Sequence, residues 1–279
     1  MPRASAAIYA TLLSLFATTH AATRSVLTTG DAVCQHPPYE VRVVSSSPLV
    51  VYLEGFITPE ECAHLKTVTE DTFAHSAVAE RGTADGRAIH SVRTSQSTNV
   101  PRDSVVRCIE DRALAFQGLL DGQKDRQRLE PLQLVKYGTG QQYHYHTDWF
   151  TDPVHATAAL GGNRASSFFA YVHVSQANTT QKTQKLRGGG TNFPQLDSPL
   201  APAWCEFLDC DEPWERGVTF RPLQGNAVYW ENLLPAGPSQ YREGDHRTLH
   251  AGLPVVGGEK IGMNIWTREG TVPAGTRGV

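Results

Sequence analysis

The run Glu130-Pro131-Leu132-Gln133-Leu134-Val135-Lys136-Tyr137-Gly138-Thr139-Gly140-Gln141-Gln142-Tyr143-His144-Tyr145-His146-Thr147-Asp148-Trp149 marks a change of texture in this 279-residue chain. Leu132–Tyr137 reads as a strand, Gly138-Thr139-Gly140 as a turn, and a second, aromatic-rich extended segment follows. Further short β-like runs occur at Ser167–Val174, Val218–Phe220, Ala227–Trp230 and Lys260–Trp266, separated by Gly, Pro and Asn. No helix-length apolar pattern interrupts them, which predicts mainly antiparallel strands.

Upstream of that point the pattern differs. Val41–Val44 and Leu49–Leu53 look like strands, and a helix should then begin at Thr58. Thr58 is an N-cap, Pro59 occupies the first helical position, and Glu61 stands three residues on to complete a capping box. Cys62, Leu65, Val68, Thr69 and Phe73 supply its apolar stripe. A second helix should start near Asp103, with Val105, Val106, Ile109, Ala113, Phe116 and Leu120 at helical spacing. Two helices followed by many short strands predict an α+β fold, a double-stranded β-helix (jelly roll, cupin-like) with supporting N-terminal helices. We expect N-terminal strands and supporting helices over 22–129, the β core over 130–270, and a tail over 271–279. The polar stretch Asn178–Lys185 and the Pro-rich Ser198–Pro213 read as surface excursions.

Composition narrows the function classes. The 25 basic and 28 acidic side chains leave a net charge of −3, which argues against phosphate-backbone binding, so no nucleic-acid partner is expected. No internal stretch of about 20 apolar residues exists, so no membrane span is expected beyond a possible N-terminal anchor. Arg3, a short apolar run and the small-residue stretch ending at Ala21-Ala22 read as a secretory signal peptide over residues 1–21, with an uncleaved anchor as the alternative. That route makes disulfides available to the five cysteines, of which at least one must be unpaired within the chain. Cys205 and Cys210, close together in one loop, are the expected local bridge. Asn178-Thr179-Thr180 is an acceptor sequence for N-glycosylation.

The chemistry is concentrated in two places. On a strand His146 and Asp148 would point the same way and could hold a divalent metal, although His144 shares that face and spacing alone leaves the choice open. His250 lies 102 residues beyond Asp148, and Lys260 ten beyond His250. Two histidines and one carboxylate on one side of a metal leave coordination positions vacant opposite. A lysine facing inward demands an anionic partner; after Gly257-Gly258 the bland alternative is a solvated turn residue.

Read together from about Tyr52 to Arg268, these segments resemble the catalytic domain of the prolyl 4-hydroxylase family, within the Fe(II)- and 2-oxoglutarate-dependent dioxygenases. The resemblance is carried, in order, by Val92-Arg93-Thr94-Ser95, the Glu130–Tyr143 run, His146-Thr147-Asp148-Trp149-Phe150-Thr151-Asp152-Pro153, Gly161-Gly162-Asn163-Arg164, Gly189-Gly190-Thr191-Asn192-Phe193-Pro194, Leu249-His250-Ala251-Gly252, and Lys260 with Trp266. It implies His146, Asp148 and His250 as iron ligands, His146 being chosen over His144 because it stands three residues after Tyr143. It implies that Lys260, helped by Tyr137, binds the distal carboxylate of 2-oxoglutarate, and that Tyr143, Arg164, Trp266, Glu130 and Ser95 surround the substrate. The implied reaction consumes O2 and 2-oxoglutarate, releases succinate and CO2, and hydroxylates an unactivated C–H, most directly C4 of proline in a peptide or protein of the secretory pathway, with L-ascorbate as reductant. A small-molecule or short-peptide substrate is the alternative, and a non-catalytic jelly-roll binding module the remote one. The insertions Gln176–Arg187 and Pro199–Arg216 and the excursion Pro235–Asp245 depart from a compact member of the family. The end Thr276–Val279 is not an ER-retention signal, and no peptide-binding module of the animal collagen enzymes is visible.

Overall fold

The capping signals at Thr58 act as their chemistry requires. Its hydroxyl accepts from the Glu61 amide at 3.1 Å, and the Glu61 carboxylate accepts from the Thr58 amide at 2.9 Å, starting helix α1 (Pro59–Thr69). Between two short strands that precede it, β1 (Glu40–Ser46) and β2 (Leu49–Glu54), and the strands that follow, β3 (Ala74–His75) and β4 (Gln96–Asn99), α1 is the first layer laid on the sheet. Asp103 caps the next helix, α2 (Ser104–Phe116), through the Val106 amide at 2.9 Å. The expected apolar repeat out to Leu120 is corrected: α2 stops at Phe116 because Gly118 turns left-handed (φ 72°) and Leu119 bonds back to Leu114. Leu120 is consequently 80% exposed.

The computed structural model describes residues 34, 36–76, 94–178, 180, 183–199, 201–211, 216–236 and 242–277. The expected signal peptide at 1–21 lies outside these residues, as do Val92 and Arg93. After the short helix α3 (Gly122–Arg126) come β5 (Gln133–Tyr137), β6 (Tyr143–His146), β7 (Arg164–Val174), β8 (Arg187–Gly188) and β9 (Thr191–Phe193). They are followed by β10 (Val218–Phe220), β11 (Ala227–Glu231), β12 (His250–Gly252), β13 (Val255–Gly257), β14 (Lys260–Arg268) and a terminal turn of helix, α4 (Ala274–Arg277). All strand pairs are antiparallel. An eight-stranded sheet runs β1-β2-β11-β7-β14-β5-β4-β3, and a four-stranded sheet runs β10-β9-β12-β6. Strands from both sides of residue 130 therefore share the larger sheet.

Alternation along the strands divides two cores. Phe168, Ala170 and Val172 of β7 and Ile261, Met263 and Ile265 of β14 face the helices, meeting Cys62, Leu65, Val106, Ile109 and Ala113. The intervening residues turn the other way, where Phe169, Tyr171, Val228 and Trp230 meet Phe193, Val218 and Phe220 of the smaller sheet. Phe207 and Leu208 join this inner core, so the Ser198–Pro213 segment is not merely a surface excursion: Leu208 pairs with Phe220 and both side chains are buried. Its Cys205 and Cys210 are disulfide-bonded, and a second bridge joins Cys34 to Cys108 on α2. Cys62 is a free, buried thiol.

α1 and α2 are locked by an ion pair almost wholly out of water. Arg112 donates to both Glu61 oxygens at 2.7 and 2.8 Å and to the Phe56 carbonyl at 2.8 Å. Glu61 thus caps α1 and neutralises Arg112 at once. Replacing Arg112 with Ala leaves that carboxylate buried and unpaired and should cost about 3–5 kcal/mol in denaturant unfolding, whereas Thr58→Ala, losing one cap bond, should cost about 1 kcal/mol.

Candidate active site

His146 ends β6, and His250 opens β12, its partner in the smaller sheet, so the backbone register sets the two imidazoles side by side. Their ring centroids are 4.3 Å apart. Asp148 is not on the strand, as its spacing from His146 had suggested. It lies in the bend beyond β6, which swings its buried carboxylate between the rings. Asp148 Oδ1 lies 3.8 Å from His146 Nε2 and 3.9 Å from His250 Nε2. His144 takes no part through its ring, which is exposed. Its backbone carbonyl instead accepts from His146 Nδ1 at 2.8 Å, and the Thr248 carbonyl accepts from His250 Nδ1 at 2.9 Å. A carbonyl can only accept, so both rings carry their proton on Nδ1 and both Nε2 lone pairs face Asp148. Three donor atoms within 4.8 Å of one another, one of them anionic, fit a divalent transition metal. The other such grouping among the described residues, Cys34, His36 and Cys108, has its sulfurs committed to a disulfide.

The carboxylate is held from behind. Trp266 Nε1 donates to Asp148 Oδ2 at 3.0 Å, and Ser167 adds a second hydrogen bond. Ser167 is itself held by the Asn232 amide at 2.9 Å. Burial would raise the Asp148 pKa, but positive charge on His250 and His146 when those rings are protonated, together with Arg164, outweighs it and keeps the carboxyl below the usual carboxylate range. Trp266, expected beside the substrate, therefore also orients the Asp148 carboxylate. Tyr143 stacks on His146 at 3.6 Å between centroids, and Phe193 and Trp230 pack on His250 at 5.3 and 4.7 Å.

A cavity of about 320 Å3 opens in front of these groups, lined by Tyr137, Tyr143, Asp148, both histidines and Trp266 among others. Behind its Tyr137 wall lies Lys260, with no exposed surface. Its Nζ donates to the Gly189 carbonyl and stands 4.8, 5.6 and 6.0 Å from the ring centres of Tyr137, Phe169 and Tyr171. Burial pushes its ammonium down to about 7, and no described carboxylate pairs with it. A buried ammonium without a counter-charge is costly, so a lysine placed there calls for an anionic partner.

Glu130 and Arg164 also line the cavity, but as one assembly. Arg164 grips Glu130 through two bonds of 2.7 and 2.8 Å, lies 3.7 Å over Trp266, and donates to the Asp148 carbonyl at 3.3 Å. Arg268 adds a third bond to Glu130 at 3.1 Å. Burial would raise the Glu130 carboxyl; the two guanidiniums override it and hold it low. Ser95 is placed elsewhere. It is buried with its hydroxyl 3.1 Å from that of Ser76, and it is not among the described residues that line the cavity. Residues missed from sequence include Thr191, paired with the Tyr171 hydroxyl at 2.8 Å and lining the cavity, and Ser167 and Thr248, which act on the ligands. Only a strand's register could have found Ser167; nothing local marks it.

Comparison with known proteins places this geometry. The 2OG-Fe(II) oxygenase superfamily matches residues 132–268. The chain is 32% identical over 235 residues to prolyl 4-hydroxylase 2 of Arabidopsis thaliana, and 31% over 232 residues to probable prolyl 4-hydroxylase 4 of the same plant. Each alignment covers 82% of this chain and 70% of the relative. It is 28% identical to prolyl 4-hydroxylase subunit alpha-2 of Gallus gallus, covering 83% of this chain but 36% of that one. Among solved structures, a viral collagen prolyl hydroxylase from Paramecium Bursaria Chlorella virus-1, crystallised with 2OG, shares the fold with a TM-score of 0.52 at 22% identity, over 85% of this chain and 99% of that one.

The indole bond to Asp148 yields a direct test. Trp266→Phe keeps an aromatic ring but removes the indole donor, and should weaken Fe(II) or Mn(II) binding by about 10–100-fold in a metal titration. An unchanged metal affinity would show that the Trp266 bond does not set the carboxylate.

Proposed function

This chain belongs to the prolyl 4-hydroxylase family of the 2OG-Fe(II) oxygenase superfamily, and we propose that it hydroxylates C4 of proline in a peptide or protein of the secretory pathway. The observation that carries the reading is the convergence of His146, Asp148 and His250, whose ligand atoms lie within 4.8 Å of one another while each imidazole Nδ1 is engaged by a backbone carbonyl. These three would hold Fe(II). The bound iron supplies the dioxygen chemistry that couples oxidative decarboxylation of 2-oxoglutarate to hydroxylation, with ascorbate as reductant.

The chain's own side chains do the rest. Lys260 and Tyr137 bind the distal carboxylate of 2-oxoglutarate, the lysine regaining its proton as the dianion arrives. Its aromatic surroundings exclude water, so the attraction acts in a low dielectric. Trp266 and Ser167 keep Asp148 aimed at the metal. Arg164, fixed by Glu130 and stacked on Trp266, and Tyr143, stacked on His146, form the rigid wall against which the target residue is placed, because their own hydrogen bonds and stacking leave them little freedom.

Two further features support the compartment. The disulfides Cys34–Cys108 and Cys205–Cys210 suit an oxidising lumen. Asn178 is exposed, where a glycosylating enzyme can reach it, and its backbone pairs with that of Thr183.

Succinate release with Fe(II), ascorbate and 2-oxoglutarate should rise when a proline-rich peptide is added and stay low with free proline; peptide-independent turnover alone would overturn the proposed substrate. His146→Ala, Asp148→Ala and His250→Ala should each abolish turnover.

The Lys260 site gives a pH dependence of stated sign. Below about 7 the free lysine is charged and 2-oxoglutarate binds without proton uptake. Above that value binding must take up a proton, so affinity should fall by up to about tenfold per pH unit. Calorimetry in buffers of different ionisation enthalpy would measure the proton; Lys260→Met should both weaken binding and remove the uptake. For the secretory reading, glycosidase treatment of the secreted protein should lower its mass, and Asn178→Gln should abolish that shift.

A further inference from the structure

The cavity has a second lining, unlike the charged and aromatic one. Asn99 on β4, Gln133 on β5 and Asn264 on β14 all line it. They stand in one row across the sheet: Gln133 is the register partner of Asn99 on one side and of Asn264 on the other, and Asn264 in turn is opposite Phe169 of β7. Asn264 donates to the Gln133 side-chain oxygen at 3.3 Å. Asparagine is a poor strand residue, and two of them aligned with a glutamine on three adjacent strands oppose local preference. The row does not serve the metal ligands, and on β14 it is flanked by Gly262 and Trp266. It runs from β14 across β5 to β4, toward the edge of the sheet. β3 pairs only with Gln96 and Ser97, so beside Asn99 the described residues provide no further strand and the row opens at the sheet edge. A second recess continues there, sharing Asn99, Pro131 and Thr276 with the first and adding Pro101 and Arg277.

We infer that this amide row is a main-chain reader for an extended peptide, which crosses β14, β5 and β4 on its way out of the cavity and is held at one carbonyl or amide in every three residues. The inference rests on the peptidyl-proline reading above. Its geometry follows from two spacings. Neighbouring strands stand about 4.8 Å apart, which puts Asn99 about 9.6 Å from Asn264. A polyproline II chain advances about 9.3 Å per turn of three residues and leaves its carbonyls and amides unbonded internally. Successive turns of such a chain therefore bring equivalent backbone groups over Asn264 and Asn99. A side-chain amide both donates and accepts, so it reads the backbone and tolerates the side chains between. The row selects for length and conformation, not for a residue at a set position.

The test is a length series of proline-rich peptides, from a tripeptide to a twelve-residue chain, against the intact protein and its Asn99→Leu and Asn264→Leu variants, which keep side-chain size and lose the amide. KM should fall with peptide length in the unmodified protein. Each variant should raise KM for the twelve-residue peptide about 5–10-fold with kcat little changed, and KM for the tripeptide by less than twofold. Asn99→Gln should recover most of the loss. Equal effects on short and long peptides, or none on either, would overturn the inference. Calorimetric binding of the same peptides, with thermal melts to establish folding, separates it from the reaction assignment. Length-dependent binding sensitive to Asn99 and Asn264 supports the row even if proline is not hydroxylated; loss of that sensitivity overturns the row even if it is.

Discussion

β14 carries two incompatible sets of side chains, and the period of two along an extended chain is what keeps them apart. Ile261, Met263 and Ile265 go to the helices, and Lys260, Asn264, Trp266 and Arg268 go to the other face. Because β14 lies between β5 and β7, its hydrogen bonds fix its register on both sides. A slip of one residue would exchange the faces, sending Lys260 into the helix-side core and three aliphatic residues into the cavity. The helices make that slip prohibitive, since α1 and α2 bury their own apolar stripes on the same three residues. Chemistry inside the barrel is thus stabilised from outside it. Gly262 shows how tight the inner face is: a methyl group there would meet the Phe169 ring at 2.1 Å.

The inner face is also where charge is buried, under three different arrangements. Glu130 is held between two arginines, and its assembly is closed. Asp148 is satisfied on one oxygen by Trp266, which leaves the other turned to the histidines. Lys260 has aromatic faces and one carbonyl but no counter-charge. The first arrangement builds a wall, and the other two are incomplete in ways that a metal cation and a dicarboxylate would complete. Electrostatic demand therefore increases from the closed Glu130 assembly to Lys260, which is buried without a described counter-charge.

The protein adds to this frame without disturbing it. The segment around Cys205 and Cys210 sends Phe207 and Leu208 into the inner core, and Tyr52 packs on Phe207 at 4.9 Å. Segments inserted between β9 and β10 can then vary at their exposed ends while their anchors stay in place. The Cys34–Cys108 bridge does the same for the chain preceding β1, tying it to α2.

Much of this was legible in the residues. Helix starts at Thr58 and Asp103 are decided by groups within three positions, so local chemistry suffices. Strands such as Ser167–Val174 and Lys260–Trp266 declare themselves by composition, and the ordered motifs pointed to His146, Asp148, His250 and Lys260. Other features were not legible. His144 and His146 are equivalent by spacing until β6 pairs with β12. Ser95 and Trp266 belong to the same pattern, yet one is shut away against Ser76 and the other braces Asp148. The row of Asn99, Gln133 and Asn264 spans three strands drawn from positions 165 residues apart. The sequence by itself determined which residues could serve as caps, strands and ligands, because those properties depend on side-chain type and near neighbours. Which of them face one another was decided only by the tertiary structure, because pairing across a sheet is set by register between distant segments and no local interaction encodes it.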